Sequence, residues 1–220
     1  MPHGHSAAQP SHHHGDVLIR WARLYEIGIR LWGHRGRRWR ADLAQRLELR
    51  PGDRALDVAC GTGQLAFELA GYVAPDGAVD GIDAATEMVN RATATNGRRR
   101  LPVKFQTALA QRLPFPDGAF SAATCTLALH QIAHDDRRVA VEEIRRVLQP
   151  GGRLLIADFQ TPASGPARYL TRRLFGHAMA ERPLDQAGDL LEAAGFVGVA
   201  RDTTTTSWIG LVIGTKPCTE

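Results

Sequence analysis

The chain has 220 residues, of which 44% are hydrophobic and 23% charged, and its formal net charge is +4. These values are typical of an ordinary globular domain and exclude a disordered or collagen-like chain. No stretch reaches the roughly 20 apolar residues that a membrane-spanning helix needs, and the N-terminus lacks the layout of a secretory signal, so the sequence predicts a cytoplasmic protein without an integral membrane segment.

Residues 1–15 carry five histidines among small and polar residues, and they are predicted to be a disordered His-rich tail because too few apolar side chains are present to offset the entropy of ordering. Residues 16–220 are expected to form one domain. Apolar side chains from Val17 to Leu31, and then Leu43 and Leu47, recur at a period of about 3.6 residues, which predicts two helices within 16–48. We interpret these helices and the later segment 161–182 as a lid over an acceptor site, since a parallel sheet does not need them.

From residue 55 onward, the pattern alternates between strands and helices. Strands are predicted at 55–59, 78–83, 103–108, 119–126 and 153–159, and helices at 85–94 and 135–148. Such alternation implies right-handed crossovers and a parallel sheet with helices on both faces, the doubly wound α/β class. A helix over 184–194 precedes two β-rich runs, 196–205 and 208–215, which are predicted to pair as an antiparallel hairpin.

A glycine-rich turn joins the first strand to the helix after it. Gly61 and Gly63 lack a Cβ, so the backbone can turn tightly and let a ligand lie against it, while the amides at the helix start suit a ligand carboxylate. Asp83 closes the next strand, where a carboxylate can accept hydrogen bonds from both hydroxyls of a ribose. Helix capping is the structural alternative for Asp83. Dinucleotide dehydrogenases use a similar turn, so the turn alone does not identify the ligand.

The segment Asp57-Val58-Ala59-Cys60-Gly61-Thr62-Gly63 resembles the first motif of class I S-adenosylmethionine-dependent methyltransferases, with Ala59 where their first glycine often lies. The segments 113–120 and 146–152 resemble later motifs of the methyltransferases of ubiquinone and menaquinone biosynthesis. The resemblance runs from about Trp21 to the C-terminus. It implies a Rossmann-like methyltransferase sheet, S-adenosylmethionine as cofactor and a small-molecule acceptor, which is methylated on carbon, nitrogen, oxygen or sulfur.

The same resemblance assigns the cofactor-binding residues. The first-motif loop is expected to hold the methionine end of the cofactor, Asp83 the ribose, and Met88 the adenine. Leu109 stands where the family usually has an acidic residue for the adenine amino group, so the backbone of Ala110 and Gln111 is expected to serve there. The residues predicted to bind the cofactor are Asp57, Ala59, Cys60, Gly61, Gly63, Asp83, Ala84, Met88, Ala110, Gln111 and Thr126.

Methyl transfer from a sulfonium is an in-line displacement, so positioning of the two reactants can carry much of the catalysis. A hydroxyl or amine acceptor would also have to lose a proton. His130 is the predicted base because it follows the strand that ends at Thr126, at the ligand-binding edge of the sheet. A structural hydrogen-bonding role for His130 is the alternative. His134 is interpreted as a loop residue or helix cap.

Two other functions stay open at this stage. An NAD(P)-dependent oxidoreductase would explain the glycine turn and Asp83, but it leaves the motifs around Pro114 and Pro150 without a purpose. A catalytically silent cofactor-binding protein of the same fold would explain Leu109.

Several absences are also predicted. The arginine clusters at 35–40 and 98–100 are interpreted as solvated faces, so nucleic acid is not an expected partner. The spacing of Cys60, Cys125 and Cys218 fits neither a disulfide framework nor a zinc site, which predicts reduced thiols and no metal. The residues leave open whether the chain is a monomer or a homodimer.

Overall fold

The structure is a computed structural model that describes residues 36–160, 183–205 and 209–218. The chain divides into two compact units, residues 1–38 and residues 39–220. Of the first unit only 36–38 are described, and they are helical. The predicted His-rich tail, the first predicted lid helix and the segment 161–182 therefore lie outside the described residues. None of the helices in the described ranges has both the length and the apolar character that crossing a membrane requires.

In the described part of the chain, seven strands form one sheet with the order β3-β2-β1-β4-β5-β7-β6. The strands are β1 (Arg54–Val58), β2 (Ala78–Asp83), β3 (Val103–Thr107), β4 (Phe120–Thr126), β5 (Leu148–Phe159), β6 (Val197–Thr203) and β7 (Ile209–Thr215). Strands β1 to β5 pair in parallel, while β7 runs antiparallel to both β5 and β6. The predicted mostly parallel sheet with a C-terminal antiparallel hairpin is confirmed.

The helices connect and cover these strands. They are α1 (36–46), α2 (Gln64–Val73), α3 (Thr86–Arg99), α4 (His134–Val147) and α5 (Pro183–Ala193), with a short 3-10 helix at Leu129–Gln131. Central strands of the sheet contribute the fully buried side chains of Leu56, Leu154, Leu155 and Ile156 to the core. Continuous apolar runs of this kind are typical of parallel strands covered on both faces.

Two element boundaries differ from prediction by five residues, and the others differ by two residues or fewer. Helix α3 continues to Arg99 instead of ending at 94, because the Asn96 side chain closes its end: Nδ2 donates to Leu101 O and Val103 O, and Oδ1 accepts from Leu101 N. Strand β5 starts five residues earlier than predicted, at Leu148, and its pairing with β4 shifts register between Phe120 and Ala122. Neither a side-chain cap nor a register shift changes the periodicity from which the elements were predicted.

The sheet brings the carboxyl ends of its parallel strands to one edge. Val58 at the end of β1 pairs with Ile82 of β2 and Cys125 of β4, and Thr126 pairs with Ala157 of β5. The strand order reverses direction between β1 and β4. In doubly wound sheets, a ligand-binding crevice opens outside the carboxyl ends of the strands at such a reversal.

Candidate functional site

The turn between β1 and α2 has an unusual backbone. Ala59, Gly61 and Gly63 all have positive φ, at 56°, 53° and 77°. Hydrogen bonds from Cys60 N to Ile82 O (2.8 Å) and from Gly63 N to Cys60 O (2.9 Å) hold the turn against β2. Positive φ costs glycine little, but it strains Ala59. The small residue accepted at this position therefore sits in a conformation that glycine would adopt more easily.

Gly63 is constrained by packing as well as by φ. An added Cβ would lie 2.5 Å from Phe105 Cζ, and one on Gly81 would lie 2.6 Å from Phe105 Cδ1. The aromatic ring, which stacks edge-on against Phe67 with centroids 5.5 Å apart, thus occupies the space that both glycines leave. The predicted contact between Gly63 and a cofactor would accordingly involve its backbone.

Asp83 ties the turn to the end of β2. Its Oδ2 accepts a hydrogen bond from Gly61 N, and its Oδ1 accepts one from Ala85 N, each at 2.8 Å. The bond to Ala85 N precedes the helix and is not the capping bond considered as the alternative role, since α3 has Ala85 at its N-cap and no side-chain cap hydrogen bond. An ionised carboxylate offers about four lone-pair positions, so two acceptor positions remain for ribose hydroxyls. Ribose binding by Asp83 stays a prediction that this geometry allows.

Asp57 is the next-to-last residue of β1, just before the turn, and is almost fully buried, at 1% exposure. Its Oδ1 accepts a hydrogen bond of 2.8 Å from Thr124 Oγ1, while Oδ2 accepts no well-formed bond from the described residues. Burial raises the pKa of Asp57 to about 7, against the opposing effects of Thr124 and of the Ala66 amide at the start of α2. A buried carboxylate oxygen without a full partner is suited to a cationic ligand group.

Two parts of the chain next to Asp83 carry the residues predicted to contact the adenine: α3 and the loop after β3. Met88 is half-buried in the first turn of α3. Across from it, Ala108 N donates to Asp83 O at 3.1 Å and brings the segment 108–111 to the same edge. Leu109 is 56% exposed in that segment. Gln111 donates its side-chain amide to Asp136 (3.1 Å), so its backbone is the part left for a ligand.

His130 forms a close pair with Asp158, the residue next to last in β5. His130 Nδ1 lies 2.9 Å from Asp158 Oδ1, and His130 N donates to Asp158 Oδ2 at 3.1 Å. Asp158 is fully buried, while the imidazole is 14% exposed and packs against the Phe159 ring at a centroid distance of 5.4 Å. Asp158 was not among the predicted site residues, although a carboxylate near the end of a buried parallel strand at this edge is a signal that the sequence carries.

A buried arginine holds the segment that carries His130. Arg137 is 2% exposed, and its Nε donates to both Leu129 O and Ile132 O at 3.0 Å. Its Nη1 donates to Gln186 Oε1 at 2.9 Å, which connects the segment to α5. The carbonyls on either side of His130 are therefore fixed to two helices.

The two later motifs form one structural unit, outside the site. Arg146 donates to the carbonyls of Leu113 (3.1 Å) and Phe115 (2.9 Å) and to the carboxylate of Asp117 (2.7 Å). Glu143 completes the arrangement by accepting from Leu113 N and Arg146, and this pairing lowers the pKa of Glu143. Their role is to fix the loop between β3 and β4.

The remaining candidates have structural environments. Burial raises the pKa of Cys60 and of Cys125, which keeps both thiols protonated, and all three cysteines are free. No group of three or more metal-ligating side chains occurs within the described ranges. His134, interpreted as a loop residue or helix cap, is instead the first residue of α4: the N-cap position is Ala133, no side chain caps the helix, and the His134 side chain is 70% exposed. Thr126 ends β4 and is half-buried at the site edge.

The chain is similar to known proteins in sequence and in fold. A family model described as a methyltransferase domain matches residues 55–152. The chain is 37% identical over 143 residues to a demethylmenaquinone methyltransferase of Deinococcus radiodurans, covering 65% of this chain and 58% of that protein. It is 30% identical over 217 residues to a demethylmenaquinone methyltransferase of Symbiobacterium thermophilum, covering 81% of this chain and 82% of that protein.

The fold is shared with solved structures. A SAM-dependent methyltransferase from Aquifex aeolicus superimposes with a TM-score of 0.66 at 23% identity, over 80% of this chain and 88% of that one. The alignment with the Deinococcus protein leaves more than a third of that protein's length unmatched. The region that the methyltransferase family model matches, residues 55–152, includes the turn after β1, Asp83 and the segment that carries His130.

Proposed function

Because the chain belongs to the class I S-adenosylmethionine-dependent methyltransferases, we propose that it transfers the methyl group of S-adenosylmethionine to a small-molecule acceptor by in-line displacement. The linked pair of Gly61 and Asp83 is the observation that carries the proposal. It joins the turn at the start of α2 to the carboxylate that ends the neighbouring strand, β2. Helix-start amides and such a carboxylate are the two kinds of group that an amino acid joined to a nucleoside requires.

The residues present fit this cofactor. The first turn of α2 contains no acidic side chain that would repel a carboxylate, and its amides would hold the carboxylate of the methionine end. The buried Asp57 Oδ2, which accepts no well-formed hydrogen bond from the described residues, would face the ammonium group. Asp83 would accept from the ribose hydroxyls, and Met88 would pack on the adenine.

When bound, S-adenosylmethionine supplies a methyl carbon on a positively charged sulfur, which is open to attack from the side opposite the sulfur. The chain then has to hold the acceptor on that side and exclude water, and this positioning lowers the barrier. The reversal between β1 and β4 is the natural place for the acceptor, because it adjoins the turn that would hold the methionine end.

For the acceptor we propose a reduced quinone ring. Its support is that two relatives with substantial identity are both demethylmenaquinone methyltransferases. We also propose a cytoplasmic location and no nucleic-acid partner. The protein is either a monomer or a homodimer. Light scattering of the purified protein during size-exclusion chromatography would decide the last point.

Calorimetric titration tests cofactor binding directly. We expect measurable heat with S-adenosylmethionine and S-adenosylhomocysteine and none with NAD. Heat with NAD alone would favour the oxidoreductase alternative and overturn the proposal. None of the comparisons supports that alternative.

A turnover assay separates an enzyme from a silent cofactor-binding protein. Purified protein is incubated with S-adenosylmethionine and short-chain demethylmenaquinone, reduced with dithionite, and the release of S-adenosylhomocysteine is measured. We expect release that depends on the reduced quinone. Cofactor binding without release from this acceptor would count against the quinone acceptor, and absence of release from a wider set of hydroxyl, amine and thiol acceptors would favour the silent protein.

A further inference from the structure

We propose that Asp158 is a positioning residue that holds His130 in one tautomer, so that Nε2 of His130 takes a proton from a hydroxyl acceptor during methyl transfer. The inference rests on the proposed function and deepens it, because it states the class of acceptor that the site prepares for. An acceptor whose nucleophile is already ionised would have no use for such a pair.

The hydrogen bonds around Asp158 fix the direction of the contact. Oδ1 accepts from Phe159 N at 2.8 Å and Oδ2 accepts from His130 N at 3.1 Å. An ionised carboxylate accepts hydrogen bonds and cannot donate them. The Nδ1 of His130, 2.9 Å from Oδ1, must then carry the hydrogen of that contact. In a neutral imidazole, this leaves Nε2 with a free lone pair.

The free lone pair has no competing partner within the described residues. The structure gives His130 two polar interactions, one from Nδ1 of the ring and one from the backbone N–H, and both go to Asp158. The ring is 14% exposed while its partner is fully buried. A partly exposed imidazole backed by a buried carboxylate is the arrangement used for general-base catalysis in hydrolases of unrelated folds.

His130 and Asp158 are held in place by more contacts than a histidine on the surface would need. Arg137 fixes the carbonyls of Leu129 and Ile132 from a buried position. Asp158 fixes the backbone and the ring of His130 from the other side. Leu127, at the start of this segment, has a positive φ of 52°. Strained backbone of this kind persists where the surrounding structure holds it firmly, and it clusters at functional sites.

The position of the pair along the sheet edge places it within reach of an acceptor. His130 follows β4, and Asp158 lies on β5 beside it, while the turn proposed for the methionine end follows β1 on the other side of β4. Adjacent strands are about 4.8 Å apart, so the pair lies one to two strand spacings from the turn.

The proposed step moves one proton to His130 and one methyl group to the acceptor. The acceptor hydroxyl gives its proton to Nε2, and the electron pair freed on the acceptor forms the new bond to the methyl carbon, either from oxygen or from a ring carbon conjugated with it. The bond between the methyl carbon and the donor sulfur breaks, and the electron pair of that bond stays on sulfur. The imidazolium, stabilised by Asp158, then releases its proton to water. On the ring-carbon route, the methylated carbon also loses its hydrogen as a proton and the oxygen takes one proton up, so that the aromatic quinol is restored and one net proton is released. No oxidant or reductant is consumed.

The first test uses the unliganded wild-type protein and measures no activity. Nitrogen-15 spectra of histidine-labelled protein, assigned with His130→Gln, report which ring nitrogen carries hydrogen. We expect His130 to carry hydrogen on Nδ1 and a bare Nε2, and Asp158→Asn to lose this preference. A wild-type His130 with hydrogen on Nε2 would overturn the inference whatever the variants do.

The second test separates positioning from binding. With reduced short-chain demethylmenaquinone, Asp158→Asn should lower kcat at least about tenfold, and His130→Ala by about 10²- to 10⁴-fold, the usual contribution of a general base. The KM for the quinol and the Kd for S-adenosylhomocysteine should stay within about twofold, because neither side chain holds the cofactor. Added imidazole should restore part of the turnover of His130→Ala.

A matched control is Asp117→Asn, the same chemical change on an exposed carboxylate of the loop held by Arg146. It should alter neither kcat nor the His130 spectrum. If Asp158→Asn keeps its kcat, the inference fails while the proposed methyl transfer stands. If the wild-type protein binds no S-adenosylhomocysteine, the proposed function fails, and the tautomer measurement still decides whether Asp158 orients His130.

Discussion

The ring of Phe105 stands where a side chain on Gly63 would have to lie, with Cζ 2.5 Å from the ideal Cβ position. The two residues are far apart in sequence, one in the first-motif turn and the other on β3. The glycine at the start of α2 is therefore required by the fold as well as by any ligand. The backbone at Gly63, with φ at 77°, adds a second reason.

Gly63→Ala should lower the free energy of unfolding by at least about 2 kcal/mol, because the alanine suffers both left-handed strain and overpacking. Urea denaturation followed by circular dichroism measures this loss. A double variant that adds Phe105→Leu should recover the packing part and leave the strain. Gly71→Ala is the matched control: it lies in α2 with nothing within 4 Å of an added Cβ, so it should stabilise by about 0.5–1 kcal/mol.

Ala59→Gly should raise the free energy of unfolding by about 1 kcal/mol, since the φ of 56° strains alanine and costs glycine little. The same denaturation experiment measures the gain. Ala55→Gly, in the regular part of β1, is the comparison and should destabilise the protein. Destabilisation of both variants to the same extent would show that Ala59 is not strained.

Asp83→Asn should weaken the binding of S-adenosylhomocysteine at least about tenfold. Hydrogen bonds to a charged group contribute roughly 1.5–3 kcal/mol each, and an amide would turn one donor toward Gly61 N or Ala85 N. Calorimetric titration gives the affinity. Asp80→Asn changes another carboxylate of β2, one that is paired with Arg54 at 2.9 Å, and it should leave the affinity unchanged. Equal affinity in wild type and Asp83→Asn would remove the ribose assignment.

The buried Asp57 should make the protein less stable as the pH rises. Its pKa is raised from 3.8 to about 7 in the fold, so the folded state binds the proton more tightly than the unfolded state does. The contribution of Asp57 to stability is complete below pH 4 and is lost as the pH rises through 7. At one pKa unit per about 1.4 kcal/mol, the loss is at most roughly 4 kcal/mol.

Asp57→Asn, which imitates the protonated carboxyl, should lack this pH dependence. Urea unfolding of both proteins at pH 5 and pH 7.5 measures the difference. We expect wild type to lose stability relative to the variant between the two values. A stability difference between wild type and Asp57→Asn that stays constant over this range would mean that Asp57 is already ionised in the folded protein at pH 5.

The sheet was predictable because the signal for it is local. Apolar runs near 55–59 and 153–159 alternate with helical patterns, and an alternation of this kind has few solutions. The position of the site was predictable for a related reason. Asp83 and His130 each lie at or just after the end of a strand, and parallel strands bring their carboxyl ends to one edge.

The partners of these residues were not predictable from local patterns. Asp158 lies 28 residues after His130, and the pair forms only because β5 is placed next to β4. The side chains of Thr124 on β4 and Asp57 on β1 form a hydrogen bond between neighbouring strands, and this contact also depends on how the strands pair. The packing of Phe105 over Gly63 depends on how β3 and α2 are positioned relative to each other. Each of these contacts depends on register, which the identity of the individual residues does not encode.

The guanidinium of Arg146 makes the segments 113–117 and 143–146 a single unit, since it bonds two carbonyls and a carboxylate of the first segment while Glu143 returns a bond to Leu113 N. Grafting experiments between relatives have to respect this dependence. A chimera that takes one of the two segments from a donor with a different loop length would leave the cation facing carbonyls that have moved. Exchange of both segments together preserves the loop and its attachment to α4.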